Sequence, residues 1–69
     1  MEMISVDSSN IARIGYDDDS ATLGVEFLSG SSYQYFDVPS SVFEAFMSSA
    51  SKGSFLHSNI RGIYRYSRI

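Results

Sequence analysis

The sequence contains no cysteine, which excludes disulfides and thiolate metal sites. A chain without cysteine suits a reducing, intracellular setting. No apolar run approaches the roughly 20 residues that a membrane span needs. The opening Met1-Glu2-Met3, soon followed by Asp7, lacks the basic and apolar regions of a signal peptide. The expected location is therefore cytoplasmic, with no membrane partner. Histidine occurs once, at His57, so general-base chemistry near neutral pH would rest on that residue alone. A lone histidine with no placed partner reads as a packing or surface residue. No G-x-S-x-G is present, and Gly15, Gly24, Gly30, Gly53 and Gly62 form no phosphate-cradling loop. Catalytic residues, cofactor and metal are accordingly all expected to be none. Proline occurs once, at Pro39, where it ends whatever sheet precedes it.

What is present is a small, aromatic-rich chain of 69 residues with five Phe and five Tyr. That length makes one domain, residues 1–69. A domain of this size buries only about 60% of its unfolded surface, so its rings must supply much of the packing. The net charge is −3, but it is unevenly spread. Residues 1–37 hold seven carboxylates against Arg13, net −6; residues 38–69 hold Lys52, Arg61, Arg65 and Arg68 against Glu44, net +3. From Lys52 onward no acidic side chain occurs.

The hydropathy pattern predicts an antiparallel meander followed by a helix. Alternation marks a short strand near Met3–Val6, then Ile11–Tyr16 with Ala12, Ile14 and Tyr16 on one face and Arg13 on the other. Asp17-Asp18-Asp19-Ser20 reads as a solvated hairpin turn, because the spacing fails the EF-hand pattern. Ala21–Leu28 sets Leu23, Val25 and Phe27 opposite Gly24 and Glu26, and Ser29-Gly30-Ser31 reverses into a partner strand over Ser32–Val38. After Pro39 the period becomes helical: Val42, Phe43, Phe46, Met47 and Ala50 share one face. Ser41 and Glu44 match a capping box, with Pro39 at the first helical position as the alternative start. Gly53 is the expected left-handed stop, beside Lys52. Ser54–Ile60 suggests a short helical turn and Ile63–Tyr66 an extended segment. The expected fold is α+β: an antiparallel β-meander packed on one α-helix, with a short helical turn and a short C-terminal strand.

Tyr33-Gln34-Tyr35 has two readings. Either Tyr33 and Tyr35 join Leu23, Val25 and Phe27 on the helix side, or Gln34, Phe36 and Val38 do; a one-residue slip in pairing exchanges them. Buried, the rings are packing units with hydroxyls at the rim; exposed, they form a platform on which bases stack. Arg61, Arg65 and Arg68, with Lys52 and His57, form the one concentrated positive region. It is either a solvated tail that neutralises the acidic half, or a small phosphate footprint. Arg65 between Tyr64 and Tyr66 adds the aromatic-basic interleaving that favours the second.

The order of these motifs resembles the KTSC family. The resemblance runs from about Val6 to Ile69. It rests on Asn10-Ile11-Ala12-Arg13-Ile14-Gly15-Tyr16-Asp17, the central Tyr33-Gln34-Tyr35, Asp37-Val38-Pro39, Lys52-Gly53-Ser54-Phe55 and Ile60-Arg61-Gly62-Ile63-Tyr64-Arg65-Tyr66. That domain is named for its place at the C-terminus of some lysyl-tRNA synthetases, and it also occurs as small stand-alone bacterial or phage proteins. The resemblance implies no catalytic residues, and its synthetase association suggests RNA binding. The expectation is a non-enzymatic binding module that contacts RNA or another phosphate ligand through Tyr33, Tyr35, Arg61, Tyr64, Arg65 and Arg68. The alternative is a protein-interaction or adaptor domain that docks a protein partner, a second copy included. An enzyme centred on His57 is a third.

Overall fold

The computed structural model describes residues 1–69. Five strands, β1 (Met3–Ser5), β2 (Ile11–Asp17), β3 (Thr22–Phe27), β4 (Ser32–Tyr35) and β5 (Tyr66–Arg68), form one sheet in the order β1-β2-β3-β4-β5. Every neighbouring pair is antiparallel. Two helices, α1 (Ser40–Ser48) and α2 (Lys52–Asn59), lie in the connection between β4 and β5. The architecture is α+β as expected, with two helices rather than one helix and a turn. No helix is long and apolar enough to cross a membrane.

The core forms between the helices and one sheet face. Ile11, Ile14, Leu23, Val25 and Tyr35 from the sheet meet Phe46, Leu56 and Ile60 from the helical side, with Val38 between the layers. The Phe46 and Phe55 rings stack at 5.3 Å, tying α1 to α2. Tyr16 stacks on Phe43 at 5.0 Å, and its hydroxyl donates to the Val38 carbonyl, so β2 also holds the chain that enters α1. On the other sheet face Gly15 sits opposite Gly24, and the flat saddle they leave is covered by Met1 and Met3. Beside it Arg13 makes a two-bond ion pair with Glu26 across β2 and β3. The hydrogen bond and charge of Arg13 hold the Glu26 carboxyl below its usual range.

Two backbone irregularities decide what reaches the core. In β2 the register shifts between Ile11 and Arg13, so Ala12 is an extra residue. The bulge turns Ile11 inward as well as Ile14, whereas strict alternation pairs Ile14 with Ala12 and leaves Ile11 outside. Asp37 adopts φ 58°, the left-handed region that Asp tolerates better than most residues. That residue ends β4 at Tyr35 instead of Val38. It also resets the alternation, so Tyr35 and Val38 are both buried. The first reading of Tyr33-Gln34-Tyr35 holds, with Tyr33 paired to Val25 and Tyr35 to Leu23 on the helix side; of the rival set Gln34, Phe36 and Val38, only Val38 reaches the core, beyond the kink.

The helix boundaries correct three expectations. The Ser41–Glu44 capping box does not form, and Pro39 is the N-cap rather than the first helical residue. Its carbonyl accepts the amides of Val42 and Phe43, so the helix starts ahead of Ser41 and that serine lies inside the first turn. The stop comes at Ser49, in an extended conformation, and Gly53 lies inside α2. The Ser49 hydroxyl donates to the Phe46 carbonyl, and the Lys52 ammonium donates to the Ser49 carbonyl at 2.6 Å. A cationic side chain thus meets the negative end of α1. Ser51 then caps α2 by accepting the Ser54 amide, which makes Lys52–Asn59 a full helix. The last strand begins at Tyr66, after a turn over Arg61–Tyr64, so the extended stretch lies later than Ile63–Tyr66.

Candidate nucleotide-binding cleft

The helices leave the β3–β4–β5 end of the sheet partly open. Register places Tyr35 opposite Tyr66 and Tyr33 opposite Arg68, so all four project to the helix-side face beside Phe27. Three tyrosine rings pack as a triangle: Tyr33 to Tyr35 at 6.4 Å, Tyr33 to Tyr66 at 5.8 Å and Tyr35 to Tyr66 at 5.9 Å between centroids. Phe27 meets Tyr33 edge-on at 5.7 Å. These rings, with Ser29 and Ser31 from the β3–β4 turn and Arg61 and Gly62 after α2, line a half-open cleft of about 520 Å³. No carboxylate lines it.

Its tyrosines differ in depth. Tyr35 is 4% exposed, whereas Tyr66 is 62% exposed. Burial raises the Tyr35 phenol above its ordinary pKa, and the nearby Arg61 charge acts in the opposite sense. The Tyr35 hydroxyl makes no hydrogen bond within the protein, yet no side-chain polar atom is sealed from solvent without a partner. The hydroxyl therefore opens into the cleft as an unpaired donor and acceptor.

The arginines divide. Arg61 lines the cleft and pairs with no carboxylate. Arg68 lies over the Tyr33 ring at 5.9 Å and donates to the Ser31 hydroxyl at 3.1 Å, again without an acidic partner. Arg65 turns away: it pairs with Asp37 at 3.1 Å and lies over Phe36. Both partners of that pair are nearly four-fifths exposed (77% and 78%), so it contributes no more than about 1 kcal/mol. Tyr64 packs against the core instead of lining the cleft. Lys52 belongs to a separate polar hollow with Asp7 and Asn10. His57 stands exposed on α2, lines no cleft and is hydrogen-bonded to no other side chain.

Of the six residues singled out in the sequence, the fold thus brings Tyr33, Tyr35 and Arg61 into one cleft and sets Arg68 at its rim. Tyr64 and Arg65 lie elsewhere. Tyr66, Phe27, Ser29, Ser31 and Gly62 complete the lining. Phe27 was legible as the continuation of the Leu23–Val25 face. The serines read only as turn residues, because nothing in a Ser-Gly-Ser run shows which strand edge it will overhang.

Comparison with known proteins agrees with this fold. The KTSC domain profile matches residues 7–66. The lysine–tRNA ligase of Trichormus variabilis is 36% identical over 67 residues. These cover 97% of this chain but 12% of the ligase, so the chain corresponds to a small part of that enzyme. An uncharacterised protein of Stutzerimonas stutzeri is 36% identical over 70 residues, covering 100% of this chain and 99% of that protein. The crystal structure of a KTSC domain protein from Yersinia pestis superposes with a TM-score of 0.96 at 38% identity, over 99% of this chain and 96% of that one. A profile match over nearly the whole length, relatives of more than 30% identity that cover the chain and a superposition over 99% of it lead to one conclusion: the chain belongs to the KTSC domain family.

Proposed function

We propose that this domain is a binding module for single-stranded RNA, with the tyrosine cleft as its site. One observation carries the reading: the exposed Tyr66 ring, backed by Tyr33 and Tyr35, stands with Arg61 in a cleft that no carboxylate lines, and Arg68, also without an acidic partner, lies at its rim. An unpaired base offers a flat ring to Tyr66, and its phosphates offer charge to Arg61 and Arg68. The net charge of −3 does not oppose this locally, since the acidic residues lie outside the cleft lining. The lysine–tRNA ligase relatives, which carry a domain of this kind, are in keeping with an RNA partner.

The test is a calorimetric titration with a short unstructured RNA over a range of salt. Two phosphate contacts give a slope of about −1.4 in log K against log salt. Tyr66→Ala removes a stacking face worth about 1–3 kcal/mol. Arg61→Ala weakens binding across RNA sequences, whereas Arg65→Ala leaves it unchanged. An absence of RNA binding at low salt sinks this reading.

A second reading has its own observation. β5 is an edge strand with all three residues exposed, and Ile69 beyond it is 75% exposed. Such an edge can pair with a strand of a protein partner. Sedimentation at rising concentration tests pairing with a second copy; an invariant monomer mass counts against it.

A further inference from the structure

Resting on the RNA reading, we infer that the cleft receives a strand end, seating a terminal phosphate monoester on the Tyr35 hydroxyl and the Arg61 guanidinium. The floor of the cleft holds a polar group that the fold leaves idle. The Tyr35 side chain is more than nine-tenths buried and lines the cleft, and its hydroxyl has no partner in the protein and keeps contact with solvent. Buried tyrosine hydroxyls ordinarily find a partner. Tyr16 shows the usual outcome in this molecule, donating to the Val38 carbonyl.

The group that completes Tyr35 must accept a hydrogen bond and suit a neighbouring guanidinium. Arg61 lines the same cleft as Tyr35, and no carboxylate pairs with it. A tyrosine phenol is protonated at neutral pH, so it can donate. An anionic oxygen satisfies both groups. Depth then separates the kinds of phosphate. Tyr35 is 4% exposed and Tyr66 62%, so the seat lies deeper than the stacking face, and an internal diester needs room there for chain on both sides. A terminal monoester has a single ester link and up to two negative charges. Its nucleoside can rise past the exposed Tyr66 ring, and the next phosphate lies toward Arg68.

The test compares three forms of one short unstructured RNA by calorimetric titration: a 5′-phosphate, a 3′-phosphate, and hydroxyls at both ends. The expected result is that at least one phosphorylated form binds roughly tenfold or more tightly than the hydroxyl form. The stronger phosphorylated form identifies which end is read. Tyr35→Phe removes only an oxygen without a protein partner, so the variant should fold with unchanged stability and lose most of the preference for a phosphorylated end. Arg61→Lys should lose part of it, because an ammonium lacks the planar fork. Equal binding of all three forms overturns the strand-end inference and leaves RNA binding standing. No binding of any form overturns both. A preference that survives intact in Tyr35→Phe overturns the assignment of the seat.

Discussion

Asp37 shows how one residue redirects a chain. Its φ of 58° is open to Asp at modest cost, and it lets Tyr35 and Val38, three positions apart, enter the same core. Nothing in the period of the strand announces that reversal of parity. Gly15 and Gly24 act in the opposite way, by what they omit. A Cβ at Gly15 would lie 2.6 Å from the backbone oxygen of Glu2, as well as close to the Met3 thioether. At Gly24 the nearest atom is the Met1 thioether at 2.6 Å, the far end of a flexible side chain. Backbone cannot step aside as a thioether can. Gly15→Ala should therefore cost about 1–3 kcal/mol, and Gly24→Ala less than about 1 kcal/mol, in urea denaturation. Equal costs would mean that β1 moves as readily as a side chain does.

At the scale of elements, the two helices start by different means. α1 begins on the Pro39 carbonyl with no side-chain cap, whereas α2 begins on the Ser51 hydroxyl. Ser51→Ala should destabilise the fold by about 1 kcal/mol, and Ser41→Ala should fall within about 0.5 kcal/mol of the parent, both read from thermal or urea unfolding. Reversed magnitudes would restore the Ser41–Glu44 box. The contrast also shows where the sequence was readable. β3, β2 beyond its Ala12 bulge and their turn follow from alternation and from Asp17, whose carboxylate accepts from the Asp19 amide and the Ser20 hydroxyl. The helical face of Phe43, Phe46 and Met47 was equally plain. What escaped was set by tertiary context. Ser41 and Ser51 are equally good caps, and only the position of Pro39 after the Asp37 kink chooses between them. Tyr66 is a cleft residue because the turn over Arg61–Tyr64 delays β5, and neither Ile63 nor Tyr64 carries a local signal of that delay. The six candidate residues were chosen by chemical type. Register kept Tyr33, Tyr35 and Arg68 at the cleft, while the turn after α2 brought Arg61 there and sent Tyr64 and Arg65 elsewhere.

For the whole molecule, ten phenyl and phenol rings in a chain without disulfides place much of the stability in tyrosine packing. Tyr16 and Tyr35 both have their phenols raised, chiefly by burial, with Asp18 and Asp17 adding at Tyr16. The unfolded chain releases these protons first as pH climbs past about 10, so the unfolded state binds fewer protons than the folded one there. Stability should be level through neutral pH and then decline above about pH 10. Tyr16→Phe should show a shallower alkaline decline, measured as urea midpoints between pH 8 and 11, and an unchanged slope would remove Tyr16 from that account. The long β4–β5 connection has a different consequence. Four strands pair with their chain neighbours through short turns, but β5 reaches β4 only after both helices have been laid down. The loop entropy of that last pairing is the largest in the sheet. The wall formed by Tyr66 and Arg68 is therefore the part of the domain whose amides should exchange with solvent soonest, while β2 and β3 stay protected. Recognition would then rest on the least cooperative strand of the fold, where a bound ligand adds the order that local contacts leave out.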